Sequence, residues 1–217
     1  MARKLKKSGG KKRTWPIKNV KQFENFLLYW AIKRDQAKSP KKKYQAYRNW
    51  MMCLIGVNTA FRAEDLLQLR VRDVIKGYVS IKENKTGKFQ HFRMAKELHQ
   101  EIIEYVETFN LTNNQYLFIG QAKTMEPITR QRSHKVVMQA ANEVGIGFPF
   151  GLHGLRKTFG YHYMLNGGNV LTLMKMYNHD DTTVTLLYIM WGDDDVQADR
   201  HSTYFAGKKS AKIARRK

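Results

Sequence analysis

Between residues 18 and 190, apolar side chains recur at helical spacing in most segments, and only one stretch reads as paired strands. That pattern confines the chain to a mostly helical fold with one small antiparallel sheet near the middle. Residues 18–35 carry Val20, Phe23, Phe26, Leu27, Trp30 and Ala31 on one face. The run Lys38-Ser-Pro-Lys-Lys-Lys reads as a loop, 44–58 as a strongly apolar buried helix, and 63–70 as a short third helix. Tyr78–Lys82 and Phe89–Met94 read as two strands around the turn Glu83-Asn-Lys-Thr-Gly-Lys, where Gly87 suits a left-handed position. Residues 95–109 form an amphipathic helix, and Thr129 caps another that runs to Gly145. A helix from Gly154 to Asn166 closes at Gly167-Gly168, and shorter ones cover 170–177 and 181–190.

The basic excess lies mostly outside this body. The formal net charge is +21. Residues 1–13 hold seven cations (Arg3, Lys4, Lys6, Lys7, Lys11, Lys12, Arg13) and residues 208–217 hold six, with no acid in either block. Like charges without apolar partners cannot pack a core, so residues 1–14 are expected to be a disordered basic arm and 206–217 a basic tail. Residues 15–205 are left as one folded domain. The partner that fits such ends is a polyanion, and nucleic acid fits best because neutralised phosphates release counterions. A membrane surface fits poorly, since the ends have no apolar face.

Several classes drop out. The single cysteine, Cys53, excludes a disulfide framework and a cysteine zinc cluster. The seven histidines show no i, i+4 pairing, which disfavours a metal site. Apolar runs such as Trp50–Val57 fall far short of the ~18 residues of a membrane span. The N-terminus has no apolar h-region, so a cytoplasmic, nucleoid-associated protein is expected. There is no P-loop, and the glycines from Gly145 to Gly151 follow a helix at the wrong spacing for a dinucleotide fingerprint.

Three stretches remain. They are Thr59-Ala-Phe-Arg62-Ala-Glu-Asp65-Leu, the turn Asn84-Lys85-Thr-Gly-Lys88, and His153-Gly-Leu-Arg156 followed by Asn178-His179 and Tyr188. Together they resemble the catalytic domain of the tyrosine recombinases, the phage-integrase family. Arg62 with Asp65 matches the family's first arginine segment, Lys85 its hairpin lysine, and His153 with Arg156 its His-x-x-Arg. His179 stands nine residues before Tyr188, and Arg156 precedes His179 by 23 and Tyr188 by 32, the family's usual spacing. The resemblance runs from about residue 17 to about 205.

The resemblance implies a site-specific DNA recombinase that cleaves and rejoins strands without cofactor or metal. In that chemistry a tyrosine oxygen attacks a phosphodiester, and negative charge grows on the non-bridging oxygens, where fixed donors must meet it. Arg62 and Arg156 are the guanidinium forks for those oxygens. His179 adds a donor. Lys85 is the general acid for the leaving 5′-oxygen, and His153 the base or proton shuttle. Tyr188 is the nucleophile and Asp65 a supporting residue. Each has a bland reading when taken alone. Arg62 would be a surface arginine, and Asp65 would orient Arg62 or nearby backbone. Lys85 competes with Lys88, and Tyr188 with Tyr177 and Tyr204. Tyr161, His162 and Tyr163 read as packing.

The chain also departs from the family's pattern. The first two helices already read as catalytic domain, so no separate core-binding domain is expected, as in small single-domain members such as bacterial DNA invertases. Tyr177-Asn178 stands where Leu-Gly is commoner, which would alter the seating of the nucleophile helix. Double-stranded DNA is the expected partner, contacted by the arm and Lys88. A homo-tetramer on DNA is expected, with the C-terminal tail on a neighbouring protomer through Trp191, Val196 and Phe205. The alternative is a non-cleaving DNA-binding regulator or architectural protein of the same ancestry.

Overall fold

A computed structural model describes residues 14–120 and 124–203. The basic arm, the far end of the tail and Tyr204 lie outside the described residues, apart from Thr14. The first helix, α1 (Val20–Asp35), starts where the Asn19 side chain accepts from the Gln22 amide. The second, α2 (Pro40–Asn58), corrects the expected loop over 38–43. Ser39 accepts from the Lys42 amide and Pro40 takes the first turn, where its missing N–H costs nothing, so the lysine run is helical. A short α3 (Ala63–Leu67) follows and ends before the expected residue 70. The strands β1 (Tyr78–Lys82) and β2 (Phe89–Arg93) pair antiparallel, with Tyr78 opposite Arg93 and Lys82 opposite Phe89. The turn between them places Gly87 at a positive φ of 66°, as its sequence suggests.

Five of the remaining helices follow the periodicity: α4 (Lys96–Thr108), α5 (Arg130–Glu143), α6 (Leu152–Leu165), α7 (Val170–Tyr177) and α8 (Thr182–Ile189). The last described helix, α9 (Asp193–Ser202), was not expected. It buries none of its residues, so no apolar stripe announces it. It is anchored by Asp195, which accepts from the Tyr161 hydroxyl at 2.7 Å and pairs with Lys18 at 2.7 Å.

The apolar interior falls into two clusters. A large one joins α1 to α6 and includes Phe26, Met51, Ile55, Ile102, Tyr105 and Leu155. A small one has Ala60, Leu173, Tyr177 and Ile189 at its centre, with Tyr188, Leu186 and Trp191 packed against it. The arginine-bearing segments rest on the first cluster, and the helix that carries Tyr188 rests on the second. Trp191 leans on its own domain, 5.4 Å from the Tyr161 ring, and Val196 is exposed.

Candidate active site

Arg156 sits in the first turns of α6 and is only 2% exposed. Its guanidinium donates to the Ala60 carbonyl at 2.5 Å and to the Tyr177 carbonyl at 2.9 Å. Arg62, the residue before α3, donates to the same Tyr177 carbonyl at 3.1 Å. That carbonyl ends α7, where helical geometry leaves oxygens without an intrahelical partner and the dipole is negative. A helix terminus therefore gathers both forks at one point. The turn after it depends on Asn178, which adopts the left-handed conformation that a glycine would take freely.

Arg62 has a second anchor that sequence reasoning missed. Its Nη1 lies 2.5 Å from Glu83 Oε2, and Glu83 is 1% exposed. Burial alone would raise that carboxyl. Hydrogen bonds from Thr86 and Gln90, together with the Arg62 charge, hold it below the ordinary carboxylate range. Asp65, by contrast, takes the backbone role. Its Oδ1 accepts from the Asn84 amide at 2.9 Å, which pins the start of the turn, and burial pushes its pKa up. The two acids thus hold Lys85 on an exposed turn that opens on the two arginines. The only sequence signal for Glu83 is a lone carboxylate at the head of a lysine-rich turn.

Tyr188 is half-buried on α8. Its ring stands 6.0 Å from the Arg156 guanidinium, 5.0 Å from Lys157 Nζ and 5.4 Å from the His179 ring. Burial pushes the phenol above its usual pKa, while Arg156 and Arg62 pull the other way without cancelling the rise. His179 places Nδ1 at 3.1 Å from Thr185 Oγ1, rather than pairing with Asp180 or Asp181. The Thr185 hydroxyl itself donates to the Asp181 carbonyl, so His179 donates through Nδ1. In its neutral form Nε2 is then an acceptor. Burial, then Arg156 and Arg62, lower its pKa below 6.5.

His153 lies at the rim, with Nε2 at 3.3 Å from Arg130 Nη2. A guanidinium only donates, so Nε2 accepts and the ring is neutral in that contact. Partial burial, followed by the charges of Arg130, Arg156 and Lys157, lowers the His153 pKa. Arg130, which also pairs with Glu64 at 3.1 Å, is a second residue that the sequence reading passed over.

One open cleft of about 760 Å³ is lined by Arg62, Lys85, His153, Arg156, His179 and Tyr188 together. Lys88 is exposed and is not among its lining residues. Tyr177 does not line the cleft; it is fully buried and its hydroxyl donates to the Arg156 carbonyl at 2.5 Å. Its bulk fits because Gly160 faces it; a Cβ there would collide with the Tyr177 hydroxyl and with Ile189. The unusual Tyr177-Asn178 pair therefore seats α8 through a matched glycine. Tyr161, His162 and Tyr163 pack as expected, with His162 hydrogen-bonded to the Ile17 carbonyl and stacked on Phe23.

The cleft brings together two converging guanidiniums, an amine on an exposed turn and a phenol. The model of the phage integrase family matches residues 32–193 of the chain. The chain belongs to the phage integrase family. Among the relatives of this family member is the probable integrase/recombinase YoeC of Bacillus subtilis strain 168. It is 34% identical over 152 residues, which cover 70% of this chain and 82% of the relative. The tyrosine recombinase XerD of Staphylococcus saprophyticus is 28% identical over 159 residues, 67% of this chain, and the match spans about half (51%) of that protein. Among solved structures, XerA recombinase superposes with a TM-score of 0.69 at 17% identity, over 88% of this chain and 67% of that one. The XerH recombinase bound to its palindromic difH substrate, in a post-cleavage complex, gives 0.66 at 22% identity, over 91% and 55%. The integrase-family fold is thus shared, mostly helical with a two-stranded antiparallel sheet.

Proposed function

We propose that this chain is a site-specific DNA recombinase that breaks and rejoins double-stranded DNA through a 3′-phosphotyrosine intermediate, in integration, excision or inversion. The observation that carries the reading is the meeting of Tyr188 with Arg62, Lys85, His153, Arg156 and His179 in one open cleft. Residues 15–205 act as the catalytic unit.

The Tyr188 oxygen attacks the scissile phosphorus. A bond from phosphorus to the tyrosyl oxygen forms, and the bond to the 5′-oxygen breaks. Because burial keeps Tyr188 protonated, its proton must be taken up, and His153 with an accepting nitrogen is the base. Lys85 gives a proton to the departing 5′-oxygen. Arg62 and Arg156 neutralise the non-bridging oxygens, and their shared anchor at the Tyr177 carbonyl fixes them before substrate arrives. His179 donates from Nε2 once protonated beside the phosphate. A 5′-hydroxyl from another strand reverses the step, and the phosphotyrosine link retains the energy of the broken bond. Four copies assemble on DNA, with the C-terminal tail on a neighbour, while the basic arm, Lys88 and the tail bind phosphates.

The test is covalent trapping. Wild type and Tyr188→Phe are incubated with DNA from the native locus, denatured and run on a gel. Wild type is expected to form a protein–DNA adduct and Tyr188→Phe none, with duplex affinity retained. An adduct from Tyr188→Phe would contradict the nucleophile assignment.

A further inference from the structure

A second cleft, of about 720 Å³, opens between α1, the start of α2 and α5. Lys33, Lys38, Lys42, Arg48, Arg132 and Lys135 line it, and no acidic side chain among the described residues does. A lysine-rich surface alone would be only a solvated face. Two deeper groups set this one apart. Arg48 is 3% exposed, yet among the described residues its guanidinium meets only neutral acceptors: the Asn49 side-chain oxygen at 2.8 Å and the carbonyls of Ile119 at 3.0 Å and Gly120 at 3.5 Å. A buried charge without a counter-charge is costly. Nearby Arg132 adds to that cost, because burial first and then Arg132 lower the Arg48 pKa. Trp30, 7% exposed and also lining the cleft, has an indole N–H with no acceptor among the described residues.

The start of α2 compounds the imbalance. Lys41, Lys42 and Lys43 crowd the positive end of a 19-residue helix capped by Ser39, where cations are disfavoured and anions favoured. The protein gathers donors, a helix terminus and positive charge here.

We propose that this cleft binds a backbone phosphate of duplex DNA, distinct from the phosphate held in the catalytic cleft. The proposal rests on the recombinase reading, since the same duplex must occupy both. The geometry allows it. Arg130, the first residue of α5, lines the catalytic cleft, while Arg132, Lys135 and Gln139 of the same helix line the second. At a helical rise of about 1.5 Å per residue these positions lie within roughly 15 Å along the axis. A duplex carries a charge every ~1.7 Å, so one gripped at Arg130 offers phosphates to both sides of α5.

The test compares two triple variants of the full chain. Lys42→Ala/Arg132→Ala/Lys135→Ala removes exposed cations of the cleft. Lys76→Ala/Arg93→Ala/Lys96→Ala removes the same charge from exposed positions that line neither cleft. Duplex affinity is measured from 50 to 200 mM salt, with thermal melting to verify folding. The cleft triple is expected to lose about one unit of salt slope per broken phosphate contact, and about tenfold in affinity per contact near 0.1 M salt. At saturating DNA it is expected to form the Tyr188 adduct at the wild-type level. The control triple is expected to change affinity less than threefold. Equal effects of the two triples would overturn the proposal while leaving the recombinase reading intact. So would a cleft triple that loses single-stranded RNA binding but keeps duplex binding. A wild type that binds no duplex would overturn both.

Discussion

The two apolar clusters are unequal, and the site straddles them. The large cluster holds 34 buried residues among those described and supports the segments that carry Arg62, Lys85 and Arg156. The small one holds four, and the eight-residue α7 and α8 rest on it. On one face of α8, Val184 and Leu187 are more than half exposed. Both short helices end in left-handed residues, Asn178 and Met190. The lesson is that the two arginines are mounted on the large cluster, while Tyr188, the proposed nucleophile, rides on a lightly held element. Such an element is the part of a fold that opens at low cost.

The largest expected effect tests the rigid half. Ile102→Ala, in the interior of the large cluster, should cost about 2–5 kcal/mol and lower Tm by roughly 5–15 °C. Below that Tm, adduct formation should stay near wild type; a selective loss of chemistry would break the comparison. The next effect tests the light half. Gly160→Ala drives a methyl into Tyr177 and Ile189, at a cost of about 1–3 kcal/mol. Duplex binding should stay within about twofold while adduct formation falls at least about tenfold, because α8 is displaced; unchanged adduct formation would sink the idea. Glu83→Gln probes the joint between the hairpin and Arg62. It keeps the acceptor oxygen and removes the charge, and should slow adduct formation up to about tenfold, equal to ~1.4 kcal/mol. Duplex affinity should hold; equal losses in both would make Glu83 a general structural residue instead.

The smallest effect is a change of pH profile. His179 offers a donor at Nε2 only when protonated, and burial with the two arginines keeps its pKa low. The protonated form exists below that pKa, so its contribution fades as pH rises. His179→Trp supplies an N–H at every pH. Adduct formation by wild type should fall from mildly acidic to neutral pH relative to that variant, by less than about threefold. Parallel profiles would count against a protonated donor.

How much of this was legible beforehand varied with the kind of force involved. Apolar periodicity located α1, α4 to α8 and the hairpin, because those elements bury apolar faces. It failed at α9, which is held by the polar anchor Asp195 with Tyr161 and Lys18. It also failed at the head of α2, where Ser39 and Pro40 outweigh three lysines that look like a loop. At the site, the six side chains facing the cleft were readable because their chemistry dictates their types. Glu83 and Arg130 were not, since each acts through a tertiary contact that no spacing rule encodes. Burial, which sequence alone does not report, sets Tyr177 apart from the half-buried Tyr188.

The most direct test of the central claim is to identify the residue that becomes attached to DNA. A nicked duplex from the native locus traps the cleaved state, because the short strand diffuses away and rejoining fails. Protease digestion and mass spectrometry then locate the adduct. The expected result is a single 3′-phosphate linked to the peptide that contains Tyr188. Linkage to Tyr204 or any other residue, or to a 5′-phosphate, would contradict the account.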